Sequence, residues 1–354
     1  MSPRQPRLGL AGLSFVVPLF FLLAFGAGDA ESSLLVLGPL TTFALPVISM
    51  IAFWWQDWPG SVLRAGWSGA TDTILAAVGG LGLTVAAQAI VGRVDLRGVF
   101  DPHAGPGHGA TFPTTLALGA GTFVAILQLT LVTEGWPLRR FGRIRSGVAT
   151  LGLCWAVAVA AYLLVVNLDE VPAAVREADG LRNPGGPLSA QTYGALLITL
   201  GVWQVVPFVA LRGWPFCRLH RRGPRLLFGN AGVIAGTAGT FVLLTQVAGW
   251  RPDQITAIGG TVIAGALLVA MLFEGWPATR FGPTFGRLCV LLLVAVVAVA
   301  LYVVLSVYAG RISWVRASAN DWIALASLNF LAMGVVLHVA VWHRWPVVAG
   351  PHKT

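Results

Sequence analysis

Runs of about 20 consecutive apolar residues, repeated with hardly a charge inside them, leave few folds open to a chain. A helix rises 1.5 Å per residue, so about 20 residues cross a hydrocarbon layer of ~30 Å with every backbone N–H and C=O paired inside the segment. The 354-residue sequence reads as ten such runs, at 8–26, 34–55, 73–92, 114–133, 147–167, 191–211, 229–249, 255–273, 288–309 and 322–342. They are continuous rather than alternating, which favours helices over a membrane β-barrel. Composition agrees: 56% of residues are hydrophobic and 10% charged, against roughly a quarter charged in a soluble domain. The expected fold is an all-α integral membrane bundle of about ten transmembrane helices, a single polytopic domain over 1–354.

The first run resembles a secretory signal, because Arg4 and Arg7 precede an apolar stretch that ends near the small residues of "FGAGDAE". Its length exceeds that of a signal core, which predicts an uncleaved first helix. Cys154, Cys217 and Cys289 form no close pair and no Cys-x-x-Cys, so neither a disulfide framework nor a zinc site is expected.

The net charge of +9 takes on meaning once it is sorted by loop. One set of loops holds Arg4, Arg7, Arg64, Arg139, Arg140, Arg143, Arg145, Arg212, Arg218, Arg221, Arg222, Arg225, Arg280, Arg287, Arg344 and Lys353, or 16 of the 23 basic residues, against 4 of the 14 acids. The other set holds 7 basic residues and 10 acids. By the positive-inside rule the basic side is cytoplasmic, and ten crossings put both termini there, in the cell membrane. The basicity is therefore a topology signal and an attraction to anionic lipid, with no nucleic-acid motif beside it. The bilayer is the expected partner, together with a possible partner protein on the basic face.

Trp-Pro recurs at Trp58-Pro59, Trp136-Pro137, Trp214-Pro215, Trp276-Pro277 and Trp345-Pro346, spaced by 78, 78, 62 and 69 residues. Each copy follows an even-numbered run, so all five share one side. The repeating unit is a pair of crossings, over 34–92, 114–167, 191–249 and 255–309, with a partial unit at 322–346. The second and fourth copies agree furthest: Glu134/Glu274, Trp136/Trp276, Arg140/Arg280, Phe141/Phe281 and Tyr162/Tyr302 share an offset of 140. Tryptophan suits the headgroup level, and the proline that follows denies the helix a donor, so the turn reads as an interfacial stop. Across it, Glu134 and Glu274 are placed to pair with Arg140 and Arg280. Arg212 and His343 take the acid's place in the third and fifth copies, so the acid is no general chemical requirement. A structural turn is favoured over an active-site element. The repeated Glu-Gly-Trp-Pro with its trailing Arg-Phe-Gly resembles a set of functionally uncharacterised bacterial polytopic membrane proteins. The likeness is good over 134–142 and 274–282, and it implies no activity.

The chemistry on offer is sparse. Lys353 is the sole lysine, so no phosphate-binding Walker loop exists, and ATP-driven transport would need a separate subunit. The runs contain no acid at their middle, which weakens proton coupling. His338 lacks a facing partner for haem, and no cofactor is implied. "DPHAGPGH" offers Asp101, His103 and His108 as a carboxylate-imidazole set for a metal, with a solvated Gly/Pro loop as the plainer reading.

Buried polar atoms are more informative. Pro207 leaves the Trp203 carbonyl without its usual amide, Gln204 stands beside it, and Gln128 and the Pro46 break of the second run lie at comparable depth. Interrupted helices with polar atoms at the midplane point to a transport site, here Pro46, Gln128, Trp203, Gln204 and Pro207. The alternative, packing contacts between helices with tolerated kinks, is the commoner use of such residues. The expected function is a permease-like transporter of a neutral small solute. A non-transporting scaffold or subunit of a larger complex is the second reading, and a membrane-embedded enzyme the third.

Overall fold

The computed structural model describes residues 4–105, 108 and 111–348; Lys353 lies outside them. All ten runs are helical: α1 (Arg7–Phe25), α2 (Ala30–Trp54), α3 (Ala65–Val91), α4 (Leu116–Val132), α5 (Arg143–Val165), α6 (Ala190–Ala210), α7 (Arg222–Val247), α8 (Pro252–Leu272), α9 (Pro283–Ala309) and α10 (Ala319–Val341). Nine of these are long and apolar enough to cross a membrane, and α4 is a shorter apolar helix. The protein is an all-α membrane bundle. The one extended element is a two-residue parallel pairing of Val166–Asn167 with Leu188–Ser189 among the described residues.

The helices form two concentric layers. Helices α2, α4, α6, α8 and α10 contact one another in a closed ring, each touching the next and α10 returning to α2. The odd-numbered helices pack outside: α3 on α2, α5 on α4, α7 on α6, α9 on α8, and α1 against α10 and α2. Burial follows the same division. Between 56% and 83% of the most apolar stretch is buried in α2, α6, α8 and α10, against 17% to 33% in α1, α3, α5, α7 and α9. The outer helices turn residues such as Leu164, Leu292 and Val304 outward, as a surface in hydrocarbon requires. Small residues let the layers approach. A Cβ on Gly80 of α3 would stand 3.0 Å from the Ala44 backbone of α2, tighter than ordinary packing.

Several helices begin earlier than their apolar runs suggest, and in two of them this brings an acid into the helix. Helix α3 starts at Ala65, so Asp72 sits inside it, fully buried, with Oδ1 accepting from the Gly60 amide at 3.0 Å and Oδ2 buried without a partner. Asp321 lies in the first turn of α10, in a reciprocal capping box with Ser318. Hydropathy misses these starts because the first turns of a helix favour polar residues. Helix α2 likewise starts at Ala30, capped by Asp29, whose Oδ1 accepts from the Ser32 amide at 2.6 Å. That backbone hydrogen bond holds the Asp29 carboxyl below the usual range.

The five Trp-Pro turns share one backbone. Each inner helix ends in a widened turn, over Met50–Trp54, Gln128–Val132, Val206–Ala210, Leu268–Leu272 and Leu337–Val341. In every copy this segment runs from eight to four residues before the tryptophan. Amides of Trp55, Thr133, Leu211, Phe273 and Trp342 bond the carbonyl five residues back at 2.7–3.0 Å, and the amide two residues further on reaches six back at 2.7–2.9 Å. Two successive left-handed residues then turn the chain. The first is Gln56, Glu134, Arg212, Glu274 or His343, with φ from 48° to 56°; the second is Asp57, Gly135, Gly213, Gly275 or Arg344. Glycine serves three of the five second positions because it takes positive φ at no steric cost.

Two expectations change as a result. The helix is stopped by the left-handed pair ahead of the tryptophan, not by the proline after it. Pro207 does not cause the break in α6 either, because Ile51, Leu129, Val269 and His338 occupy its place in identical widened turns. The lost donor of Pro207 falls where the helix is already remodelled, and its carbonyl accepts from the Gly213 amide at 2.8 Å.

Candidate functional site

The inner ring encloses an axial cavity of about 80 Å³ lined by side chains from all five inner helices. Counting back from each helix's own tryptophan resolves the lining into layers. Sixteen residues back are Thr42, Ala120, Ile198 and Asn329; thirteen back, Leu45, Phe123, Gly201, Ile263 and Ala332. Nine back are Ser49, Leu127, Val205, Leu267 and Val336; five back, Phe53, Leu131, Val209 and Met271. Steps of three and four residues keep one helical stripe facing the axis. The shared turn sets the common register, so equivalent residues arrive at equivalent depth. The layers span ~16 Å along the axis, from ~7 Å to ~24 Å beyond the tryptophans by helical rise.

Among the described residues the lining carries no charge, and its polar members are Thr42, Ser49 and Asn329. Asn329 donates to the Thr42 hydroxyl, to the Thr41 hydroxyl at 3.3 Å and to the Gly38 carbonyl at 3.2 Å, so the end of the cavity far from the turns has a satisfied polar rim. Apart from Ser49, the rest of the lining is apolar. Such a lining has nothing to replace an ion's hydration shell, so an unpaired charge there would be costly.

The buried amides Gln204 and Gln128 lie beside residues that line this cavity. Gln204 is fully buried and donates to the Val124 carbonyl at 3.1 Å and to Gln128 Oε1 at 2.7 Å. Gln128 donates to Asn230 Oδ1 at 2.7 Å, and Asn230 to the Leu226 carbonyl at 2.7 Å. The chain of amides thus links α6, α4 and α7. Trp203 points to α7, where its Nε1 donates to Thr240 at 3.0 Å. Pro46 on α2 is not in this network; its carbonyl accepts from the Met50 amide. The structure therefore joins Gln204, Gln128 and Asn230, the last unforeseen in the sequence, and leaves Pro46 apart.

The turns meet around one end of the axis. Asp57 of the first turn pairs with His343 of the fifth at 3.1 Å, and Arg344 pairs with Glu274 of the fourth at 3.0 Å. Arg344 also donates to the Leu272 and Met271 carbonyls at 3.2 and 2.9 Å. Burial draws its guanidinium below its ordinary value, and Glu274 opposes the shift. Arg212 of the third turn reaches the Glu274 carbonyl at 3.5 Å, and Arg225, at the start of α7, pairs with Glu134 of the second at 2.7 Å. Arg139 lies over the Trp54 ring at 5.4 Å, which closes the circle. The expected pairs within a turn do not form: Arg140 lies over Phe141 and Arg280 over Trp276. Side chains leaving a left-handed residue project away from their own turn, so the glutamates meet arginines of neighbouring units. Trp136, Trp214 and Trp276, with Pro137, Pro215 and Pro277, form the body of these turns.

On the far side Asp101 accepts from the His103 amide at 2.8 Å and pairs with Arg97 at 3.2 Å, while His108 contacts Asp95 at 2.9 Å. The His103 amide and Arg97 hold the Asp101 carboxyl below the usual range. The three residues do not converge, and no cluster of three or more His, Cys, Asp or Glu is arranged for a metal among the described residues.

The cavity-lining residues escaped notice in the sequence because they are ordinary Leu, Val, Ile and Phe. The signal was present in the Trp-Pro register, where equal offsets mark one stripe per unit. No protein-family model, curated protein or solved structure matches this chain.

Proposed function

We propose that the chain is a permease-like membrane protein that binds a small neutral solute in its axial cavity and passes it along the axis. The observation that carries this reading is a cavity lined by all five inner helices with no charged side chain among the described residues. Passage would require the apolar layers to part, since the space is narrow, and dewetting of such layers is a known way to close a path. The polar rim of Thr42 and Asn329 would orient one hydrogen-bonding group of the solute. A non-transporting membrane subunit, docking a partner on the arginine-bearing turns, is the second reading, motivated by the ring of charged residues there.

The test is solute flux into proteoliposomes by stopped-flow light scattering, with glycerol, urea and acetamide as the panel. Gly201→Phe plugs the lumen, since even a Cβ there would lie 3.2 Å from Ile263. Flux of at least one solute above protein-free vesicles, lost in folded Gly201→Phe, supports the permease. Flux equal to empty vesicles for the whole panel removes that support and favours the subunit reading.

A further inference from the structure

The unit containing the third turn departs from the others in charge. It alone places an arginine, Arg212, two residues before the tryptophan, where the other four have Gln56, Glu134, Glu274 and His343. Arg218, Arg221, Arg222 and Arg225 then follow within a few residues of the start of α7. Among the helices for which burial of the spanning stretch is compared, α7 is the least buried, at 17%.

Between the second and third turns the bundle leaves a pocket of about 350 Å³. One part of its lining is basic, from Arg212 and Arg225, with Glu134 between the two units; the other is apolar, from Leu131, Val132, Phe208 and Phe216. The cations outnumber the acid. Arg225 and Arg222 share the one Glu134 carboxylate at 2.7 and 3.5 Å, while Arg218 lies over the Trp214 ring at 5.9 Å. Phe208 and Phe216 stack at 5.7 Å, so the apolar part carries an aromatic pair.

We propose that this pocket is a binding site for the phosphate headgroup of an anionic phospholipid, with the start of an acyl chain against Phe208 and Phe216. Its level fits, because Trp136 and Trp214 belong to the two flanking turns and tryptophan sits at the headgroup depth. Its chemistry fits, because guanidinium groups make paired, charge-assisted hydrogen bonds to phosphate oxygens. A basic recess between membrane helices is the general form of such sites. The apolar wall selects a lipid over a free phosphate, which would leave Leu131, Val132 and the two phenylalanines without a role. Glu134 then acts as the internal competitor: it occupies Arg225 and Arg222 when no lipid is present and must yield part of that contact when one binds.

This assignment fixes the sign of two variants. Removing a cation weakens lipid binding, whereas removing the competing acid strengthens it. A Lys or Arg near an anionic surface is worth ~1 kcal/mol, or about fivefold in affinity. Native mass spectrometry of the full chain in detergent, titrated with phosphatidylglycerol, is expected to show one saturable lipid. The pair Arg212→Gln, Arg225→Gln should weaken it about 25-fold, by the same fivefold per charge, and Glu134→Gln should tighten it about fivefold. Glu134→Gln keeps every arginine, so its outcome decides the matter even if the double variant fails to fold. Equal binding of phosphatidylethanolamine, unchanged affinity in folded Glu134→Gln, or displacement of the lipid by equimolar inorganic phosphate would each overturn the proposal, the last by showing a free-anion site.

Discussion

Replacing Gln204 and Gln128 by leucine, singly and together, is expected to reveal a coupling of ~1–1.5 kcal/mol between them, toward the upper part of the range for side-chain hydrogen bonds between membrane helices. The structure sets this figure. Their hydrogen bond is short, at 2.7 Å, and Gln204 is fully buried, so neither lipid headgroups nor water compete for it. Gln204→Leu by itself forfeits that bond and the one to the Val124 carbonyl. At ~0.6 to 1.7 kcal/mol each, the loss is roughly 1–3 kcal/mol. Leucine nearly fills the volume, so little is added for a cavity. The buried Gln204 Oε1, which has no partner, disappears with the substitution. Relief of that desolvated oxygen offsets ~1 kcal/mol, leaving a net destabilisation of about 0–2 kcal/mol. Reversible unfolding in bicelles titrated with sodium dodecyl sulfate, followed by tryptophan fluorescence, measures the whole cycle. Gln128 and Asn230, also bonded at 2.7 Å, should couple similarly. A Gln204–Gln128 coupling below ~0.3 kcal/mol, the level of independent sites, would refute the reading of these amides as one connected network.

Three further outcomes are expected. Asp72→Asn should stabilise the protein by ~1 kcal/mol or more in the same unfolding assay, because the amide can keep the acceptor for Gly60 without burying a carboxylate that has one oxygen unpartnered; a loss of stability would show that the second carboxylate oxygen is needed. Asp29→Ala should cost ~0.5–1 kcal/mol as a lost helix cap and Asp29→Asn much less. Because the folded carboxyl titrates below its unfolded value near 3.9, the cap's ionic contribution is fully present above that pH and fades as pH falls through the depressed value; a wild-type advantage over Asp29→Asn that grew on acidification would contradict this. Cysteines placed at 142 and 180 should label from opposite sides of the membrane, as the loop charges predict, and labelling of both from one side would overturn the helix count or the orientation.

The contrast between sequence and structure is clearest residue by residue. Ten apolar helices and their approximate positions were legible, nine of them long enough to cross a membrane, because hydrocarbon demands long apolar helices. The Trp-Pro copies marked where each inner helix ends and, through equal offsets, which residues share a depth. What the sequence did not reveal is which faces look inward. Leu127 on the axis and Leu164 toward the outside are the same residue type, and in lipid an apolar side chain pays no different transfer cost for facing a neighbour or an acyl chain. Hydropathy therefore could not separate the inner ring from the outer one. Nor could it assign partners: Glu134 faced Arg140 in the sequence, but the left-handed turn sends it to Arg225, 91 positions away. Asp72 looked like a loop acid because it precedes an apolar run, and only the packing of α3 against the first turn buries it. Local sequence determined where the chain crosses and turns. Ring closure, a relation among helices distant in sequence, decided what encloses the cavity, since contacts between units depend on how all five assemble at once.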